Sequence, residues 1–207
     1  MIKGLKICGV SDPKTLNFIL NHNQRPAMIG FITNYEKSKR FVEYEKLKRL
    51  INFNKKDVSF VSVLVKPNDE ILEKIKDLDF DYYQLYDVSP ERTKEIKSKF
   101  CKRIITALTI SSKADVVKYK DYSEISDIIL FDSIGYHKSE SFDHSLLDDL
   151  PSELNKMIAG NIQIDDIHKF KNKDFIIDLS GALENSYGKK DINKIDKLLN
   201  LQKKYET

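Results

Sequence analysis

The chain has 207 residues, 41% hydrophobic and 32% charged, with 35 lysines and arginines against 32 aspartates and glutamates for a net charge of +3. That size and apolar content suit a single domain, residues 1–207, with a substantial core. The small, evenly scattered positive excess excludes a nucleic-acid or membrane surface as the basis of function, while still favouring an anionic small molecule.

Short apolar, β-branched runs alternate with longer amphipathic, lysine-rich stretches from one end to the other. A strand is predicted over 5–8, then a helix over 13–22 that Asp12 caps ahead of Pro13. Strands at 28–32, 58–65 and 81–85 follow, separated by helices at 44–53 and 69–77. The next helix, 90–100, opens with the same device, Ser89 before Pro90. Beyond it come strands at 103–108, 127–131, 156–159 and 175–179, and helices at 113–120, 143–150, 164–170 and 191–203. Runs apolar on both faces, such as Ile128-Ile129-Leu130-Phe131, fit parallel strands covered by helices.

Strict βα alternation implies an open doubly wound sheet or a closed (β/α)8 barrel. Eight strands, and no GxGxxG turn, favour the α/β TIM barrel, whose lower size limit is about 200 residues. Two cysteines, Cys8 and Cys101, with no CxxC, no HExxH and no clustered histidines, predict neither a disulfide framework nor a metal site. The N-terminus has no signal-peptide run, and no stretch approaches the roughly 20 apolar residues of a membrane span. The expected location is the cytoplasm, where a free thiol persists. The expected assembly is a monomer, with a homodimer as the alternative.

In such a barrel the strand C-termini and the loops after them form the active face. The polar or unusual residues there are Cys8-Gly9, Thr33-Asn34, Lys66, Gln84, Thr109, Asp132-Ser133, Gly160-Asn161 and Ser180-Gly181. A cysteine after leucine and isoleucine is more often a buried core residue. At a barrel rim, followed by a glycine that lets a ligand approach, Cys8 becomes a candidate base or nucleophile, which cationic neighbours would draw toward the thiolate. Asp132, ending a wholly apolar strand, is either a cap or a desolvated carboxyl whose raised pKa suits an acid. Gly160-Asn161 and Ser180-Gly181-Ala182 occupy the loops after strands seven and eight, where barrels often hold phosphate on backbone amides. Arg40, in Lys37-Ser38-Lys39-Arg40-Phe41, reads alone as part of a solvated basic turn, yet its guanidinium fork suits a carboxylate.

Taken in order, these segments resemble the phosphoribosylanthranilate isomerase family nearly end to end. Lys6-Ile7-Cys8-Gly9 matches the family's Lys-Ile-Cys-Gly, and Gly30-Phe31 with Lys37-Ser38-Lys39-Arg40-Phe41 resembles Gly-Phe … Lys-Ser-Pro-Arg-Tyr. Tyr83-Gln84-Leu85-Tyr86-Asp87 is similar to Val-Gln-Leu-His-Gly, and Leu130-Phe131-Asp132-Ser133 with Ser141-Phe142-Asp143-His144 to Leu-Leu-Asp-Ser … Thr-Phe-Asp-Trp. Ala159-Gly160-Asn161-Ile162 and Asp178-Leu179-Ser180 … Glu184 … Gly188-Lys189-Lys190-Asp191 complete the series. The resemblance implies a cofactor-free Amadori rearrangement of a phosphorylated small molecule in tryptophan biosynthesis. Asp132 would be the general acid and Cys8 the general base, with Arg40 holding the anthranilate carboxylate. Gly160, Asn161, Ser180 and Gly181 would hold the phosphate, with Gln84 in the pocket wall.

Three positions depart from the pattern: Lys39 stands for a proline, Tyr86-Asp87 for His-Gly, and Ser180-Gly181-Ala182 for Ser-Ser-Gly. Neither proposed proton carrier is lost. Competing readings are other phosphosugar barrels and a catalytically silent one. The histidine-pathway isomerase performs the same rearrangement, but with an aspartate where this chain has Cys8 and with duplicated phosphate sites. A ribulose-phosphate epimerase would need metal ligands. The silent barrel would bind phosphorylated ligands or a partner without turnover, and the pairing of Cys8 with Asp132 argues against it.

Overall fold

The computed structural model describes residues 2–133 and 141–202. Eight parallel strands run in chain order around a closed barrel. They are β1 (Gly4–Cys8), β2 (Met28–Ile32), β3 (Ser59–Val65), β4 (Tyr82–Tyr86), β5 (Arg103–Ile110), β6 (Ile128–Ser133), β7 (Lys156–Ile158) and β8 (Ile176–Leu179). The ring closes where β1 pairs with β8, with Lys6 opposite Asp178 and Ile7 opposite Leu179. β6 runs two residues beyond its predicted end, so Asp132 sits on the strand and pairs in register with Thr109 of β5.

Around the barrel lie α1 (Pro13–Asn21), α2 (Tyr44–Ile51), α3 (Asp69–Ile75), α4 (Pro90–Phe100), α5 (Lys113–Val117) and α6 (Ile192–Gln202). The predicted caps form: the Asp12 carboxylate accepts from the Thr15 amide at 2.8 Å, and the Ser89 hydroxyl accepts from Arg92 at 3.3 Å. Two predicted helices are not α-helical. Over 143–150 there is only a 3-10 turn, His144–Leu147, because Pro151 follows closely and bars the residue before it from helical backbone. Ile164–Phe170 is also a 3-10 helix, and its buried residues Ile164, Ile167 and Phe170 recur every third position, the period of that helix. The helix predicted over 113–120 ends at Val117 and tightens into a 3-10 turn, Lys118–Asp121. The last helix was predicted to reach Lys203, which lies outside the described residues.

Alternation along each strand divides the core in two. Leu5 and Ile7 belong to the large cluster between strands and helices, with Leu16, Phe60 and Leu198. The opposite parity faces the barrel axis, where Cys8 packs in a second cluster with Met28, Val61, Ile105, Leu130 and Met157. A polar side chain at an inward position is therefore either buried in the axis or delivered to the open end. No helix among the described residues is long and apolar enough to cross a membrane.

Candidate active site

The C-terminal end of the barrel opens into a cavity of about 840 Å³, and Cys8, Asp132, Arg40, Gly160, Asn161, Ser180 and Gly181 all line it. Gln84 does not. It is fully buried one residue pair below the rim, and its Nε2 donates to the Tyr86 hydroxyl at 3.2 Å. The other strand-end candidates divide: Thr109 lines the cavity, whereas Thr33 bonds the Ser62 hydroxyl and Asn34 pairs with the backbone of Val65. Those last two hold strands together and are spent structurally.

Asp132 is held at both oxygens. Its Oδ1 accepts from the Ser133 amide at 2.8 Å and its Oδ2 from the Tyr86 hydroxyl at 2.8 Å. Burial nonetheless pushes its pKa up to about 6, against those two donors and with the Asp178 charge adding to the rise. A carboxyl that keeps its proton to about pH 6 is a usable acid near neutrality.

Beneath Cys8 lies a buried ion pair. Lys6 has no exposed surface, and its Nζ donates to Asp178 Oδ2 at 2.6 Å. Burial works against the Lys6 charge, but Asp178 and Cys8 outweigh it and hold the ammonium above its ordinary value. A side chain on Gly30 would meet both Cys8 Sγ and Lys6 Nζ at close range, so the glycine makes the room in which thiol and ammonium share one pocket. The expected lowering of the Cys8 pKa does not follow. Burial raises it more than Lys6 lowers it, because Lys6 is shared with the Asp178 carboxylate, whose charge also pushes the thiol up. Such a thiolate is scarcer at neutral pH and correspondingly more basic, which suits removal of a proton from carbon. The second Asp178 oxygen, Oδ1, is buried without a partner among the described residues, and the residue lines the cavity. It is placed to accept a hydrogen bond from a bound hydroxyl or N–H.

Arg40 lies across Gly9, whose φ of +76° and missing side chain are both required: a Cβ there would collide with the arginine. The Arg40 Nε pairs with Glu184, which also takes Lys39 Nζ at 2.9 Å. Burial would raise the Glu184 carboxyl, but Arg40, Lys39 and Lys190 outweigh it and leave its pKa below the ordinary value. Lys39, standing in the proline position, thus ties its loop to the β8 side by an ion pair. Lys190 is the third cation of this group, and its side chain is as deeply buried as that of Glu184. Burial lowers its pKa to about 8, and it donates to the Ser180 carbonyl at 2.9 Å and the Ser180 hydroxyl at 3.3 Å.

At the phosphate-loop positions, Gly160 has φ +97° and abuts Ser133, so only glycine fits between the ends of β6 and β7. The Asn161 side chain accepts from Gln163 at 3.0 Å. The Ser180 hydroxyl donates to the Cys8 carbonyl at 3.0 Å, joining the ends of β8 and β1. Its single proton is thereby spent, and the Leu183 amide is spent on the Ser180 carbonyl at 3.1 Å, which leaves the backbone amides of Gly181 and Ala182 as the donors of that turn.

Lys6, Tyr86, Asp178, Glu184 and Lys190 were not singled out as functional in the sequence. For three of them a signal was present. Lys6 lies two residues before Cys8, Tyr86 two after Gln84, and Asp178 two before Ser180. Strand parity puts each on the same inward face as a residue already chosen. Glu184 and Lys190 lie beyond β8, where no period predicts the contact.

The family model described as N-(5'-phosphoribosyl)anthranilate (PRA) isomerase matches residues 5–201. The N-(5'-phosphoribosyl)anthranilate isomerase of Campylobacter jejuni is 33% identical over 207 residues, covering 97% of this chain and 98% of that protein. The isomerase of Agrobacterium fabrum is 30% identical over 203 residues, covering 93% and 91%. Among solved structures, phosphoribosyl anthranilate isomerase from Thermotoga maritima has a TM-score of 0.86 at 24% identity, covering 99% of this chain and 100% of that one. A phosphoribosyl anthranilate isomerase in complex with reduced 1-(o-carboxyphenylamino)-1-deoxyribulose 5-phosphate has a TM-score of 0.83 at 23% identity over the same shares. The solved structures share the fold, and the family match runs from β1 into the last helix: the chain belongs to the N-(5'-phosphoribosyl)anthranilate isomerase family.

Proposed function

We propose that this chain converts N-(5'-phosphoribosyl)anthranilate to 1-(2-carboxyphenylamino)-1-deoxyribulose 5-phosphate, as a single-domain cytoplasmic enzyme of tryptophan biosynthesis. The observation that carries the assignment of roles is Asp132, partly buried and protonated to about pH 6, in one cavity with Cys8, beneath which the Lys6 ammonium is buried. Asp132 protonates the furanose ring oxygen as the C1' bond to it breaks, which opens the ring to a Schiff base. Cys8 then takes the proton from C2', and the electron pair moves to give an enolamine. Return of a proton at C1' and loss of the enol proton yield the ketone. The sequence is redox-neutral, a series of proton transfers that these side chains can carry.

Binding follows the same geometry. Glu184 holds the Nε edge of Arg40 and leaves the terminal amino edge to face the anthranilate carboxylate. The loops at Gly160-Asn161 and Ser180-Gly181 line the same cavity as Arg40 and offer backbone amides to the phosphate. The large apolar side chains exposed among the described residues are Val117 and Tyr187, far too few for an obligate interface, which supports a monomer. The test is the loss of anthranilate-type fluorescence when phosphoribosylanthranilate is generated in the cuvette. Wild type should consume it, and Cys8→Ala and Asp132→Asn should each lose at least about a hundredfold in kcat while still binding the reduced product analogue. Near-parental kcat in either variant removes that residue from its role.

A further inference from the structure

The end of β4 departs from the family pattern at Tyr86, and the structure gives that departure a purpose. The Tyr86 hydroxyl accepts from Gln84 Nε2 at 3.2 Å and donates to Asp132 Oδ2 at 2.8 Å. An amide nitrogen can only donate, so Gln84 occupies a lone pair of the hydroxyl oxygen and leaves the hydroxyl proton to point at the carboxyl. The other carboxyl oxygen is fixed by the Ser133 amide at 2.8 Å. We propose that Tyr86 is the positioning residue of the acid, locking the Asp132 carboxyl against the cavity wall and stabilising the carboxylate left when its proton passes to the substrate. This deepens the proposed function and rests on Asp132 acting as the general acid.

A donor already aimed at the oxygen where charge appears needs no reorganisation as the proton leaves, and it acts where water is scarce. The titratable groups facing the Asp132–Tyr86 pair among the described residues are Lys6 on β1 and Asp178 on β8 at Asp132, with Cys8 on β1 and Asp178 at Tyr86. Lys6 and Tyr86 favour the carboxylate, while burial and Asp178 oppose it. Burial and the neighbouring Asp132 hold the Tyr86 hydroxyl well above the ordinary phenol range. It therefore keeps its proton throughout and serves Asp132 as a donor. The buried Gln84, outside the cavity wall, acquires a role in this chain: it orients Tyr86.

Tyr86→Phe tests the idea without changing the shape of the site. We expect kcat to fall about 10- to 100-fold with KM within about twofold, and the alkaline limb of kcat/KM to move up by about one pH unit. The sign follows because Asp132 works protonated, and losing a donor to its carboxylate raises its pKa. Tyr86→His, which can present a ring N–H at the same strand position, should restore most of the turnover. A second arm needs no substrate: the carboxyl 13C resonance of Asp132, assigned with Asp132→Asn, should titrate at higher pH in Tyr86→Phe than in the parent. An unmoved limb and an unmoved midpoint overturn the proposal, as does a loss of turnover with lowered melting temperature and no shift in either. A wild type that fails to consume phosphoribosylanthranilate defeats the proposed function instead, while the 13C arm still decides the Tyr86–Asp132 coupling.

Discussion

Replacing Lys6 with methionine keeps the unbranched stem and removes the charge. The ammonium is wholly buried and 2.6 Å from Asp178 Oδ2. At an effective dielectric of about 20 that separation is worth roughly 6 kcal/mol of attraction, and taking both ions out of water costs a comparable amount. The intact pair is therefore close to neutral for stability. Methionine cancels the attraction and leaves the cost of Asp178, which is 6% exposed and already has one oxygen unpartnered. The expected loss is about 3–5 kcal/mol, or roughly 6–20 °C in Tm for a domain of this size. The double variant Lys6→Met/Asp178→Leu should recover most of it, because neither buried charge remains. Urea and thermal unfolding of the three variants measure the cycle. The thiol gives a second readout: without Lys6, burial and Asp178 act on Cys8 unopposed by its nearest cation, so alkylation of Cys8 at pH 8 should slow while exposed Cys101 reacts at its usual rate. A single variant that loses less than about 1 kcal/mol and alkylates at the parental rate would refute the reasoning.

Arg40→Ala should raise KM for the carboxylated substrate about 10- to 100-fold with a smaller change in kcat, since the role proposed for the guanidinium is to hold the ring carboxylate and not to act at the reacting carbons; steady-state kinetics with unchanged kcat/KM would take it out of the site. Asp132→Asn should be more stable than the parent at pH 8 by up to about 3 kcal/mol, the worth of a rise from 3.8 to about 6. The native carboxyl binds its proton more tightly than the unfolded one, so its contribution is fully present below pH 3.8 and is lost as pH rises through 6. The difference between the two proteins should close at pH 4, and chemical denaturation at both pH values reads it directly.

The barrel was legible because its strands are short β-branched runs set between polar, lysine-rich stretches, and because the two prolines at 13 and 90 mark helix starts. Helix type was not. A seven-residue stretch such as 164–170 contains two turns at most, and apolar residues at every third position satisfy a loose α-helical pattern as readily as a 3-10 one. Only packing on the barrel, which buries Ile164, Ile167 and Phe170 together, separates the two. Over 143–150 the Pro151 signal was present and outweighed by the apolar pair Leu146-Leu147.

Cys8 and Asp132 were legible for a different reason: each breaks an apolar strand at its C-terminal end, where the barrel places chemistry whatever the details of register. Their partners depend on register across the barrel. Lys6 meets Asp178, 172 residues away, only because β1 and β8 pair with those two residues side by side. That pairing is the seam that closes the ring, and the Ser180 hydroxyl crosses the same seam to the Cys8 carbonyl. Before closure Lys6 and Asp178 stand in water, where an ion pair is worth about 1 kcal/mol or less and Cys8 is an ordinary thiol. Closure dehydrates both charges at once and sets the ammonium beside the sulfur. The setting of the proposed base is thus a product of the closure of the ring, which is why local sequence announces the cysteine and is silent about what acts on it.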